Sequence, residues 1–248
     1  MTLPIANIAA YHFVDIDDPD ALREQVRGWC AAAGLKGTVL LAHEGINAFL
    51  AGPESAVATV LEQLRSDPRL TALKAKWSWS ATLPFKRLWV RVKPEIVTLR
   101  RPGFDRRASP APQLPPETLR RWLDAGHDDD GREVVLLDTR NAWEVAVGSF
   151  AGAIEPGISR FSQFASRLDD YADLRDRTVV TFCTGGIRCE KAAPLMKAAG
   201  FDTVYQLEGG ILRYFEVCGG AHWRGDCVVF DDRQALRPDL SAVVDGSS

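Results

Sequence analysis

The sequence predicts two consecutive α/β units: an α+β unit of split βαβ type over residues 1–100, then a doubly wound parallel α/β unit over residues 128–222. Three observations carry this. Strand and helix patterns alternate along the first hundred residues. A stretch rich in proline and short polar residues, RPGFDRRASPAPQLPPE at 101–117, then interrupts the pattern. Beyond it, strands with continuous apolar runs, such as EVVLLDTR, and buried strands such as RTVVTFC alternate with helices, as in a parallel sheet covered on both faces.

In chain order, IANIAAYHFV reads as a strand. Asp18 then supplies an N-cap and Pro19 a first helical position, with Leu22, Val26 and Trp29 at helical spacing and Gly34 as a stop. KGTVLLAHEGINAFLAG reads as two strands around a turn at Glu44-Gly45. PESAVATVLEQLRSDPRL is a helix with Val57, Leu61 and Leu64 on one face, and LKAKWSWS and KRLWVRVKPEIVTL supply further strand. The order β-α-β-β-α-β is that of a ferredoxin-like unit. Residues 101–127 read as a linker and connecting helix. Then follow strand EVVLLDTR, amphipathic helix RFSQFASRLDDYADL, strand RTVVTFC, helix IRCEKAAPLMKAAG (kinked by Pro194, stopped by Gly200), strand TVYQLEGG and helix ILRYFEV. Residues 223–248 read as an irregular tail, frayed at its last residues.

Apolar residues make up 46% of the 248, enough for real cores. No run of eighteen apolar residues is present, so no membrane span is expected. The N-terminus does not read as a signal peptide, and five cysteines (Cys30, Cys183, Cys189, Cys218, Cys227) lack a framework spacing; reduced thiols in the cytoplasm are the expectation. The formal net charge is −3, yet Thr71–Arg107 holds ten basic residues (Lys74, Lys76, Lys86, Arg87, Arg91, Lys93, Arg100, Arg101, Arg106, Arg107) against Glu95 and Asp105, a local net of +8. A polyanion responds to such a local field. Trp77, Trp79, Phe85, Trp89 and Phe104 interleave with these cations, suiting phosphate contact with base stacking. Alternate tryptophans in KWSWS and RLWVRV equally suit strands with one face in a core.

The strongest chemical signal is FCTGGIRCEK, residues 182–191. Cys183 ends a buried strand, where active groups of open α/β sheets collect. Thr184, Gly185, Gly186 and Ile187 form a backbone cradle whose N–H groups, with the following helix N-terminus and Arg188, stabilise an anion at the loop centre. The same field favours the Cys183 thiolate. The spacing Cys183-x4-Arg188 is one residue shorter than the C-x5-R loop of phosphatases.

The shorter loop, with LLDTRNAWEVAVGSFAGAI at 136–154 and VYQLEGGI, resembles the rhodanese domain, which holds sulfur as a cysteine persulfide. Adding AHEGINAFLAG, FKRLWVRVKPEIVT and the tail GDCVVFDDR, the chain from about residue 5 to residue 232 resembles the rhodanese-type tRNA uridine hydroxylases. That resemblance implies a ferredoxin-like domain before a rhodanese domain, a tRNA substrate, formation of 5-hydroxyuridine at the wobble position, molecular oxygen as co-substrate and Cys183 as the essential cysteine. Many family members continue into a cysteine-rich extension that is not in this sequence; the resemblance implies that its contribution is dispensable or supplied elsewhere.

Asp138, Arg140 and Glu144 are expected to brace the loop, and Arg213 likewise. Cys189 either packs or resolves a persulfide on Cys183. For RNA the candidates are Lys74, Lys76, Lys86, Arg87, Arg91, Lys93, Trp89, Glu44 and Asn47; for Glu44 and Asn47 a satisfied turn is the equal alternative. Cys218, His222 and Cys227 lack a fourth partner, so no metal site is expected. No flavin or dinucleotide fingerprint and no two-histidine, one-carboxylate set is visible, so no oxygen-activating cofactor is identifiable. The sequence leaves the oligomeric state open. Competing readings are a sulfurtransferase carrying a Cys183 persulfide to a small acceptor or to tRNA, and a non-catalytic RNA-binding module; a phosphatase is the poorest.

Overall fold

A computed structural model describes residues 5–243, in two compact units, Met1–Thr98 and Leu99–Ser248. The first unit runs β1 (Ile5–Phe13), α1 (Pro19–Ala32), β2 (Lys36–Ala42), β3 (Gly45–Gly52), α2 (Glu54–Ser66), β4 (Lys74–Ser80) and β5 (Leu88–Val92). Its sheet order is β4-β1-β3-β2-β5. The first four strands pair antiparallel, as the split βαβ pattern requires, and β5 adds a fifth, parallel to β2. Helix α1 starts where the caps dictate: Asp18 Oδ1 accepts the Ala21 N–H at 2.9 Å, and Pro19 takes the first position.

Strand alternation sorts this sheet into two faces. Ala6, Ile8 and Ala10, with Ile46, Ala48 and Leu50 opposite, are buried with Leu22, Val26, Val57, Leu61 and Leu64 of the helices. The residues between them point away from α1 and α2. Register places Lys76, Ala9, Phe49, Thr38 and Trp89 in one row across the sheet, and Lys74, Tyr11, Asn47, Leu40 and Arg91 in the next.

The second unit runs β6 (Gln113–Leu114), α3 (Pro116–Ala125), β7 (Val134–Asp138), α4 (Ala142–Val145), β8 (Gly148–Phe150), a 3-10 stretch (Phe161–Leu174), β9 (Thr178–Phe182), α5 (Cys189–Ala198), β10 (Thr203–Leu207), α6 (Gly210–Cys218), β11 (Trp223–Gly225), β12 (Cys227–Val228) and β13 (Ala235–Leu236). The main sheet, β6-β10-β9-β7, is parallel throughout. All five residues of β9 are buried. Val180 and Phe182 join the core that holds Leu119, Trp122, Ile211 and Tyr214, while Val179 and Thr181 point to the other face. Both faces are covered, which is the doubly wound arrangement the apolar strands predict.

Three expectations are corrected. Part of the supposed linker is a strand: Gln113–Leu114 pairs with β10 at the sheet edge, just ahead of α3. RFSQFASRLDDYADL is a 3-10 stretch broken at Tyr171 (φ −111°, ψ 17°), not an α-helix. Its buried residues Phe161, Phe164, Leu168, Tyr171 and Leu174 recur mostly every third position, the period of a 3-10 turn. The tail is not irregular either: β12 pairs with β13, and Cys227 and Leu236 are buried. The expected fraying at its very end lies outside the described residues. Helix α5 runs on through Pro194 to Ala198. Among the described residues no helix is long and apolar enough to cross a membrane.

Candidate active site

Strand β9 delivers its chain to the carboxyl edge of the parallel sheet, and Cys183 is the next residue. Neighbouring elements fix the turn that follows. Thr139, just past β7, donates its N–H and its hydroxyl to the Phe182 carbonyl, each at 2.9 Å. From α6, the Ile211 N–H reaches the Cys183 carbonyl at 3.0 Å and the Leu212 N–H the Thr184 carbonyl at 3.1 Å. Thr184 Oγ1 donates to the Val228 carbonyl of β12 at 3.3 Å. The loop therefore hangs on three elements that sequence places far apart.

Gly210 makes this docking possible. At φ +67°, a Cβ built there would sit 2.4 Å from the Cys183 carbonyl oxygen and 2.6 Å from the Gly186 nitrogen. Only glycine lets α6 start against the loop.

The loop is built for an anion. Cys183 is fully buried, and its Sγ accepts the Gly186 N–H at 3.1 Å. Burial by itself would push the thiol up. A hydrogen bond from Cys189, the Arg188 charge and the N–H groups of Arg188 and Gly186 outweigh it and bring Cys183 down from 9.0 to about 5. Cys189 moves the opposite way: burial, then the facing Cys183 sulfur, hold it protonated well above the ordinary thiol range. Its Sγ lies 3.7 Å from Thr139 Oγ1. Of the other cysteines, burial pushes Cys30 and Cys227 each up to about 12 and raises Cys218. One thiol in five is set to be ionised already at neutral pH.

Behind the loop stand two buried ion pairs. Glu144 grips Arg188 with two bonds of 2.7 Å, and its Oε2 also accepts the Asn141 N–H at 3.0 Å, closing a capping box on α4. Arg140 and Asp138 are both wholly buried; Arg140 Nη2 donates to Asp138 at 2.7 Å and to the Gly148 carbonyl at 2.6 Å, and Ser149 donates to Asp138 at 2.8 Å. Burial opposes the Arg188 charge, but Glu144 and the Cys183 sulfur keep its pKa above the usual arginine range. The arrangement can present a desolvated thiolate as nucleophile and can hold an anionic adduct on its sulfur.

The structure thus brings together Cys183, Thr184, Gly185, Gly186, Ile187, Arg188 and Cys189, with Glu144 directly on Arg188 and Asp138–Arg140 beneath. Arg213 is not part of this group; it pairs with Glu216 on the exposed side of α6 at 2.8 Å. His222 pairs with Asp124 at 2.6 Å. Thr139 and Gly210 carry site geometry that the sequence reading did not assign. Their signal was present: Thr139 lies inside the DTR triplet, and Gly209-Gly210 is a doubled glycine after an apolar strand.

In the first unit, Lys74, Lys76, Asn47, Trp89 and Arg91 share the sheet face turned away from the helices. Arg91 stacks its guanidinium on the Trp89 ring at 4.2 Å, and Lys76 lies over Tyr11 at 5.6 Å. Lys86, Arg87 and Lys93 are exposed at the two ends of β5. Trp77 goes the other way and packs against the core. Glu44 and Asn47 both hold the Ile96 backbone: Glu44 Oε1 accepts its N–H at 2.8 Å, and Asn47 Nδ2 donates to its carbonyl at 3.2 Å. Those bonds give the HEGIN turn a bracing role.

Residues 5–96 match the family described as UPF0176 acylphosphatase like domain, and residues 116–216 match the rhodanese-like domain. The chain is 56% identical to a protein of Variovorax paradoxus named tRNA uridine(34) hydroxylase, over 96% of this chain and 91% of that one. Proteins of the same name from Burkholderia ambifaria and Ralstonia nicotianae are 53% and 54% identical, each over 96% of this chain, and over 86% and 85% of their own length.

Proposed function

Because this chain belongs to the tRNA uridine(34) hydroxylase family, we propose that it hydroxylates C5 of the wobble uridine of tRNA, with Cys183 as the reacting thiolate. One observation carries the role of Cys183. In a chain alike to that family across both units, a single thiol is held ionised, inside a cradle of N–H groups and beside a fixed arginine.

The chemistry follows from the thiolate. Its sulfur adds to C6 of the uracil, and the C5–C6 π pair moves onto C5 and the C4 carbonyl. C5 is then the nucleophile that meets the oxidant. Molecular oxygen supplies one atom to C5 and the other leaves as water, with two electrons and two protons from an external two-electron donor. Loss of the C5 proton expels the thiolate and restores the double bond. Arg188 keeps the sulfur anionic before addition and after expulsion, and Glu144 keeps Arg188 in place. Asp138 and Arg140 hold the ends of β7 and β8 that carry Glu144 between them.

The substrate's phosphates are met by Lys74, Lys76, Lys86, Arg87, Arg91 and Lys93, and unpaired anticodon bases by Trp89; the shared sheet face supports this assignment. Such a protein works where tRNA is processed, in the cytoplasm.

The test is mass spectrometry of nucleosides from bulk tRNA of a host lacking this gene, complemented with wild type or Cys183→Ala. Wild type restores 5-hydroxyuridine and its derivatives, and the variant does not. Full restoration by Cys183→Ala overturns the thiolate role. Loss of a thiolated nucleoside in its place favours sulfur transfer from a Cys183 persulfide.

A further inference from the structure

Six large apolar side chains are exposed among the described residues: Trp79, Leu83, Trp89, Trp143, Val147 and Phe230. Three of the six, Trp143, Val147 and Phe230, lie in the two segments that flank the Glu144–Arg188 ion pair. Trp143 immediately precedes Glu144 on α4. Phe230 comes from the tail, 87 positions later. Even so, their rings meet edge to face at 6.3 Å and 88°, and the Phe230 ring lies 5.8 Å from the Arg188 guanidinium.

This pair fills no core. Trp143 is 52% exposed and Phe230 46%, in a unit whose other aromatic pairs are packed inside. Leaving two such rings in water forgoes the burial that would otherwise stabilise the fold. Their placement is tied to the sulfur through a short chain of contacts. The Phe230 ring lies over Arg188, Glu144 holds Arg188, and the Arg188 N–H is bonded to Cys183.

The chemistry of the rim selects its ligand. Arg188 is neutralised by Glu144 at 2.7 Å in a bidentate pair, so this edge offers little free charge to a phosphate. What it offers is flat π surface. A nucleobase pulled from its stack has two bare π faces, and an aromatic side chain replaces the lost neighbour. We propose that Trp143 and Phe230 are the seat of the reacting base: one ring stacks the unpaired uracil, the other, standing at 88° to the first, meets the edge of the base, and together they set the uracil beside the Cys183 loop. This rests on the RNA-modifying reading above.

The experiment measures binding of the full chain to an anticodon stem-loop carrying either uridine or an abasic site at the target position. Wild type binds the uridine form about tenfold more tightly, the size of one base–aromatic stack. The Trp143→Ala/Phe230→Ala variant binds both forms alike, as weakly as wild type binds the abasic one, while Trp143→Phe and Phe230→Tyr keep the discrimination. Retained discrimination in the double alanine variant, or equal loss of affinity for both stem-loops, overturns the proposal; the rings then serve a protein contact or the fold. Wild-type protein supplies a check independent of any variant's folding. A stem-loop with 5-bromouridine at the target position crosslinks on irradiation to Trp143 or Phe230, and a crosslink mapped wholly elsewhere also overturns it. If the rings discriminate and crosslink but the host tRNA carries no 5-hydroxyuridine, the base seat stands and the hydroxylation reading falls.

Discussion

Gly210→Ala tests how the thiolate is held. Two costs are separable. The residue sits at φ +67°, where a Cβ costs about 1–2 kcal/mol. The new methyl would also lie 2.4 Å from the Cys183 oxygen and 2.6 Å from the Gly186 nitrogen, where real contacts stay beyond 3.0 Å. Backbone atoms cannot rotate aside, so the loop retreats by about half an ångström, an overpacking cost of roughly 1–3 kcal/mol. The total is about 2–5 kcal/mol of stability. The retreat carries Gly186 away from the sulfur it bonds at 3.1 Å. Losing one hydrogen bond to an ionised group costs roughly 1.5 kcal/mol, or about one pKa unit upward for Cys183. Gly200→Ala is the control: its φ is +87°, yet nothing lies within 4 Å. It should lose only the conformational cost and leave the thiol unmoved. The assays are urea denaturation and the pH dependence of Cys183 alkylation read by peptide mass spectrometry. If Gly210→Ala matches Gly200→Ala in both, the close approach does not hold the loop and the reasoning fails.

Glu144→Ala leaves Arg188 charged and buried without its partner and should cost about 3–5 kcal/mol in denaturation, with part recovered in Glu144→Ala/Arg188→Leu; a loss below about 1 kcal/mol refutes the bracing role. Stability should depend on pH through Cys183. Its folded pKa is depressed from 9.0 to about 5, so its contribution is full above pH 9 and fades as the pH falls toward 5. Wild type should therefore gain stability from pH 5 to 9 more steeply than Cys183→Ala, and parallel curves would contradict an ionised thiol. On the first unit, Lys76→Ala and Arg91→Ala should each flatten the salt dependence of tRNA binding, by about 0.7 in the slope of log affinity against log salt, while costing no more than the ~1 kcal/mol of a lost cation–π contact in stability; an unchanged slope removes that face from the RNA contact.

Much of this was legible beforehand, where a local signal and the tertiary structure agree. The Asp18-Pro19 cap and the fully buried β9 each state one structure and adopt it, and the turn expected at Glu44-Gly45 forms one residue earlier, at His43-Glu44, with Gly45 opening β3. The Cys183 loop was legible for a different reason: a doubled glycine and an arginine at fixed distance have a use around an anion and little use elsewhere. Longer-range packing was not legible. Gln113–Leu114 is a strand because β10 lacks a neighbour on that side, which the proline-rich composition around it conceals. The tail is ordered because β12 receives Thr184 of the loop, a contact across 44 positions. Trp77 and Trp89 look alike in sequence, each with basic residues nearby. Register alone sends one into the core and the other onto the open sheet face.

Cys183 is ionised and at the same time wholly shielded from solvent. In most proteins a thiolate of such low pKa is also the first casualty of peroxide, since thiolate character and exposure together govern oxidation. Here those two properties belong to different residues. Gly186, Arg188 and Cys189 decide how far the sulfur is ionised, and the side chains covering it decide what meets it. The fold can therefore hold an ionised sulfur that no oxidant reaches while those side chains stay in place. Ionisation and access can change independently of one another.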